Sequence, residues 1–104
     1  MSSIEEIRKT KIRAALENTN LTFGSLIRTI RSALGVKLYT ACEETGIGDQ
    51  KMRAFELGRF SRRPDETDIK LLAEYYGIEY ENLVDRVDKH IERSRKIRED
   101  KGLI

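Results

Sequence analysis

Apolar residues recur along this chain with a helical period rather than the period of two that strands need. Ile4, Ile7, Ala14 and Ala15 fall on one side of a helical wheel, with Ile12 and Leu16 at its flank. That pattern predicts a first helix near 4–18, with Ser3 as its N-cap. Asn18-Thr19-Asn20 interrupts it. Thr22 then caps a second helix, with Leu21 and Leu26 at the two positions of a hydrophobic staple, a buried stripe of Leu26, Ile27, Ile30 and Leu34, and Gly35 as its stop. A short helix near 38–45, a turn at Gly46-Ile47-Gly48 and another short helix near 49–56 closed by Gly58 come next.

Residues 59–64, Arg-Phe-Ser-Arg-Arg-Pro, form a basic loop in which Pro64 holds Arg63 extended. Asp65 caps the following helix, whose first turn carries Glu66 and Asp68 and whose apolar face is Ile69, Leu72, Ala73 and Tyr76, with Gly77 as its stop. A last helix runs from about Tyr80 to Asp100, about 30 Å at the helical rise. Leu83, Val84, Val87 and Ile91 give it a stripe that weakens through Ser94, Ile97 and Arg98, short of the three or four heptads that define a coiled coil. The chain shows no internal repeat, no low-complexity tract and no strand-like alternation, so the expected class is all-α.

At 104 residues the chain has the size of one domain. No stretch approaches the roughly 20 apolar residues of a membrane span, and no signal-peptide pattern opens the sequence, so a cytoplasmic location without membrane contact is expected. Cys42 is the only cysteine and His90 the only histidine. Their scarcity excludes an internal disulfide, thiolate clusters and the usual zinc sites, together with catalysis that pairs a histidine with a nucleophile. We therefore expect no enzyme, metal or cofactor, with carboxylate chemistry alone left open. Charge is unevenly spread: residues 22–64 hold eight basic and four acidic side chains, whereas 65–88 hold two basic and eight acidic ones. Such segregation suits a molecule with one face turned to a polyanion, although a charge run is also an ordinary solvated face.

The turn at 46–48 has the length that a helix-turn-helix needs. Phe23-Gly24, Arg28, Arg31, Gly35, Ala41-Cys42, Gly46-Ile47, Met52, Phe55-Glu56, Gly58, Pro64, Leu72-Ala73, Gly77-Ile78 and Leu83 fall in the order and nearly the spacing of one family. Over residues 22–85 the chain resembles the lambda-repressor-like, or Xre-type, helix-turn-helix domain. The resemblance implies a five-helix DNA-binding domain at 22–85, here with an additional N-terminal helical extension at 1–21 and an extended C-terminal helix at 86–104.

In that family the third helix lies in the DNA major groove. Carried over, Asp49, Gln50, Lys51, Arg53 and Ala54 face the bases, while Met52 and Phe55 point into the core. Gln50 suits adenine, Arg53 or Lys51 suits guanine, and Asp49 can accept from cytosine; phosphate is the alternative partner for Arg53 and Lys51. Lys37, Tyr39, Arg59, Arg62 and Arg63 are candidates for the phosphate backbone, Arg63 alternatively for the minor groove. The resemblance also implies an ion pair between Arg31 and Glu56, against the plain alternative that both point to solvent. Lys37 and Leu38 depart from the family's Ser or Thr followed by Gln, Gly48 replaces a better cap, and the loop before Pro64 is a residue or two longer.

Cys42 occupies the place of a small buried alanine, which implies a buried inert thiol. His90 reads as a plain surface or interface residue. Family members commonly bind DNA as dimers. Two seams are open, the terminal helix through Leu83, Val87, Ile91 and Ile97 and the first helix through Ile4, Ile7 and Ile12, as is the alternative that both helices cover their own domain's core. The basic residues of the two ends either touch phosphate or form solvated faces. The reading is a sequence-specific regulator of transcription, a repressor of a palindromic operator, with contact to polymerase through the acidic segment as a variant. The alternative is a protein-binding module such as an antitoxin that grips a toxin with one of its ends.

Overall fold

A computed structural model of the chain describes residues 4–60 and 62–100, with side chains as far as Ile97. The Ser3 cap and the side chain of Arg98 lie outside the described residues. Six helices follow one another: α1 (Ile4–Glu17), α2 (Phe23–Ala33), α3 (Leu38–Thr45), α4 (Asp49–Leu57), α5 (Glu66–Tyr76) and α6 (Tyr80–Asp100). No strand occurs among the described residues. The protein is all-α.

Local chemistry explains most helix ends. Thr22 caps α2 by accepting a 3.1 Å hydrogen bond from the Ser25 N–H. Gly46, Gly58 and Gly77 close α3, α4 and α5 in the left-handed region, where a side chain would meet its own carbonyl. Asp65 takes the N-cap position of α5, but its side chain makes no cap hydrogen bond, so the expected cap is positional only. Lys37 and Gly48 likewise offer no side-chain cap to α3 and α4.

The core gathers one stripe from each helix, including Phe23, Leu26, Ile27 and Ile30 of α2, Met52 and Phe55 of α4, Ile69 and Leu72 of α5, and Leu83 and Val87 of α6. The centre of the body is α2, which packs against α1, α4, α5 and α6. Gly24 permits its approach to α4: a Cβ there would overlap Phe55 O and stand 2.9 Å from Glu56 O.

The first helix turns differently from the sequence pattern. Ile12, Leu16 and Ala15 pack on the core, whereas Ala14 is exposed and Ile4 and Ile7 retain 69% and 45% of their surface. Only the C-terminal half of α1 has a body to bury against.

The boundary at 85/86 also falls inside a continuous helix. Leu83 and Val87 are fully enclosed by the chain's own core and present no surface to a second copy. Ile91 is half-buried against that core, leaving Ile97 as the exposed residue of the proposed seam.

Arg86 joins the two ends of the chain. Its side chain is buried; Nε donates to Asn82 Oδ1 at 2.7 Å, Nη2 to Leu16 O at 3.0 Å, and Nη1 to the carbonyls of Asn18 and Leu21. Leu16 O belongs to the last turn of α1, where a helix leaves its carbonyls unpaired, and the other two carbonyls lie in the link beyond it, Asn18 O also accepting from the Leu21 N–H at 3.2 Å. Burial holds the Arg86 pKa below its usual value, with the nearby Asp85 charge acting in the opposite sense.

Candidate nucleic-acid interface

Residues 38–57 fold as two short helices because a buried plug fixes the turn between them. Ile47 is buried, and Thr45 beneath it donates from Oγ1 to Ala41 O at 2.7 Å while accepting from the Ile47 N–H at 3.2 Å. The expected turn residue Ile47 is thus a core residue.

A second lock sets α4 against α2. Arg31 donates from Nε to Glu56 Oε2 at 2.8 Å and from Nη2 to Oε1 at 3.0 Å, and its Nη1 donates to Val36 O at 3.0 Å. Glu56 is buried and the Arg31 side chain largely covered. The hydrogen-bonded Glu56 carboxylate raises the Arg31 pKa despite partial burial. The planar fork explains why this pair closes in two places at once. The ion pair implied by the resemblance is present, and the solvent-facing alternative is not.

With Met52, Phe55 and Glu56 turned inward, α4 leaves an outer arc of Asp49, Gln50, Arg53, Ala54 and Leu57 at 100° per residue. Gln50 is exposed and its side chain makes no hydrogen bond among the described residues. Arg53 Nε lies 3.4 Å from Asp49 Oδ1, an exposed pair one helical turn apart. Ala54 is half-buried. Leu57, half exposed, belongs to the same arc and was missed in the sequence, where a leucine before a terminating glycine reads as core.

Lys51 stands at the edge of that arc. Its Nζ lies 3.1 Å from Asp68 Oδ2 on α5. The contact has the distance of an ion pair without the angle of a hydrogen bond, so Asp68 Oδ2 has no hydrogen-bond donor among the described residues and the attraction is coulombic. The structure thus separates Lys51, held toward α5, from Gln50 and Arg53, which point outward.

The candidates for phosphate divide in the same way. Lys37 and Tyr39 are exposed at the start of α3, and the Glu43 carboxylate one turn away, by accepting a hydrogen bond, raises the Tyr39 pKa. Arg59 and Arg62 are exposed with no ion pair among the described residues, while Arg63 Nη1 donates to Asp88 Oδ1 of α6 at 2.9 Å.

An aromatic anchor holds this basic loop to the body. Phe60 packs edge-on to Phe23 and Phe55, with centroids 5.9 and 6.0 Å away, and lies 4.3 Å from the His90 ring at a tilt of 31°. His90 is therefore a half-buried packing residue rather than a plain surface one. Cys42 is half-buried rather than buried, and desolvation raises its thiol pKa, which keeps it in the less reactive form.

An open groove between α1 and α2, lined by Lys11, Ala14, Ala15 and Arg28 among others, includes no residue of α3, α4 or the basic loop. No group of three or more His, Cys, Asp and Glu among the described residues is arranged to hold a metal ion, and no described helix is long and apolar enough to cross a membrane.

The fold and this surface define an all-α protein with a short helix whose polar face is turned outward beside a basic loop. Compared with known protein families, curated proteins and solved structures, the chain matches none.

Proposed function

We propose that the protein is a sequence-specific double-stranded DNA-binding regulator of transcription, a repressor of the lambda-repressor-like helix-turn-helix type that acts as a homodimer on a palindromic operator. One observation carries this reading: the Arg31–Glu56 lock and the close approach at Gly24 fix α4 against α2, so that Gln50 and Arg53 stand on its outer arc. A helix held rigidly with an outward amide and guanidinium suits base recognition, because each bidentate contact discriminates by about 1–3 kcal/mol only if its geometry is fixed.

In this reading Gln50 contacts adenine, Arg53 exchanges Asp49 for guanine or phosphate, and Leu57 meets a thymine methyl group. Asp49 accepts from cytosine once Arg53 has moved, and Ala54 packs against the groove. Lys51 contributes through its charge, and Lys37, Tyr39, Arg59, Arg62 and Arg63 contact the backbone. Dimerisation falls to the exposed ends, Ile97 on α6 or Ile4 and Ile7 on α1, since Leu83 and Val87 are enclosed. Excluding polymerase from the operator accounts for repression.

Selection of duplexes from a random library at about physiological salt tests the reading. We expect enrichment of a two-fold symmetric site with half-sites about 34 Å apart. Gln50→Ala then relaxes preference at one base position, while Arg62→Ala/Arg63→Ala weakens binding to all duplexes and lessens the salt slope by at most about 0.9 for each lost phosphate contact. Equal loss of sequence preference in both variants would refute this division of roles.

The exposed pair Ile4 and Ile7 favours a second reading, a protein-binding module such as an antitoxin that uses α1 to grip a toxin, with DNA binding secondary. Failure to enrich any duplex, together with capture of a partner that Ile4→Asp/Ile7→Asp abolishes, would establish that reading instead.

A further inference from the structure

Three cations of the candidate interface are already engaged by carboxylates of the same chain, and the three pairs differ in how readily they open. Lys51 meets Asp68, whose side chain keeps only 13% of its surface and sits in the first turn of α5. Arg53 meets Asp49 of its own helix, so either partner can swing away without disturbing another element. Arg63 meets Asp88 across 25 positions, linking the basic loop to α6 through a hydrogen bond of 2.9 Å. Both of its side chains are about half exposed, at 51% and 54%.

A pair so open to water contributes little stability, because the solvent already screens it. A duplex, with a backbone charge about every 1.7 Å of axis, offers the same guanidinium a far stronger field. The neighbouring Arg59 and Arg62 have no carboxylate to leave among the described residues, which sets Arg63 apart within its own loop. Phe60 holds that loop to the core independently of Arg63, so opening the Arg63–Asp88 pair does not release the loop.

We infer that Asp88 is an internal competitor for the phosphate that Arg63 binds. In the free protein its carboxylate occupies the guanidinium; on a duplex, phosphate oxygen replaces carboxylate oxygen and Asp88 returns to solvent. The inference rests on the duplex-binding reading and adds to it a residue that limits affinity from outside the interface. It carries a salt signature. Neutralising a phosphate releases counterions, with a slope of about −0.9 in log K against log salt, and the freed Asp88 takes a cation back, so that Arg63 contributes less than a full contact.

Asp88→Asn tests this, because the amide keeps the size of the side chain and an acceptor oxygen while losing the charge. Binding of the full chain to a fixed duplex is measured over a salt series by fluorescence anisotropy. Asp88→Asn is expected to bind about two- to fivefold more tightly at low salt, with a slope steeper by up to about one. In the Arg63→Ala background the same change is expected to add nothing. Asp85→Asn, which removes a carboxylate paired with Lys89 on the same helix, controls for net charge and is expected to leave the slope unchanged.

Weaker binding by Asp88→Asn, an unchanged slope, or a gain that survives Arg63→Ala would each overturn the inference while leaving duplex binding intact. Failure of the folded wild-type chain to bind any duplex at low salt would overturn the functional reading, and this inference with it.

Discussion

At the scale of single residues, the body is held by polar groups that are not all satisfied. Tyr76 is buried with a hydroxyl that has no hydrogen-bond partner among the described residues, and burial raises its pKa well above the ordinary phenol range. Removing an unsatisfied buried hydroxyl while keeping the ring recovers its desolvation cost, so Tyr76→Phe is expected to stabilise the fold by about 1 kcal/mol in urea unfolding at neutral pH. A folded-state pKa above the unfolded one gives stability that is fully present below about pH 10 and is lost as pH rises through the folded value. Unfolding titrations above about pH 10 should therefore fall less steeply for Tyr76→Phe than for the wild type. A variant less stable at neutral pH would show that the hydroxyl has a partner.

Whole elements are positioned by contacts that span the chain. The C-terminal half of α1 packs mainly on α2, and its end is fastened by Arg86, some 70 positions away. Arg86→Met retains apolar bulk but leaves the carbonyls of Leu16, Asn18 and Leu21 without that donor. We expect a loss of about 2 kcal/mol and, in hydrogen exchange, faster exchange in α1 than in α2 or α4. Uniform loss of protection would show that α1 does not open separately.

The elements themselves were largely legible in the sequence: the expected helices at 38–45 and 49–56 are α3 and α4 to within one residue. Their glycine stops and apolar spacing are local signals. The apolar stripe of α1 misled, because a helical wheel cannot show where a supporting neighbour ends. Likewise, Phe60 and His90 looked like loop and surface residues, since their stacking joins positions 30 apart. Within the candidate interface Asp49, Gln50, Arg53 and Ala54 lie on the outer arc of α4 as expected, whereas Leu57 of the same arc was not foreseen. Lys51 turns toward α5, and the pairing of the cations was not legible in the sequence.

For the molecule as a whole, burial separates the two parts of the α6 stripe. Leu83 fills the core, whereas Ile97 retains 53% of its surface. Leu83→Asp places a charge at a fully enclosed position of the apolar core and is expected to abolish cooperative unfolding. Ile97→Asp should change stability by no more than about 0.5 kcal/mol. In sedimentation equilibrium Ile97→Asp is expected to shift the protein toward monomer if the end of α6 carries the seam, with Ile4→Asp/Ile7→Asp having that effect if α1 carries it. Self-association left unchanged by both variants would refute pairing through either end.

By itself the sequence determined the all-α class, the number and order of the helices and most of their stops. Those features follow from the spacing of apolar residues and from backbone preferences that act within a few residues. Only the tertiary structure decided which face of α1 is buried, that Leu83 and Val87 serve the chain's own core, and that Arg86 closes α1. It also decided that Lys51 and Arg63 are held by Asp68 and Asp88. Each depends on helices meeting across many positions, and the strength of a charge or a buried polar group is set by what faces it there.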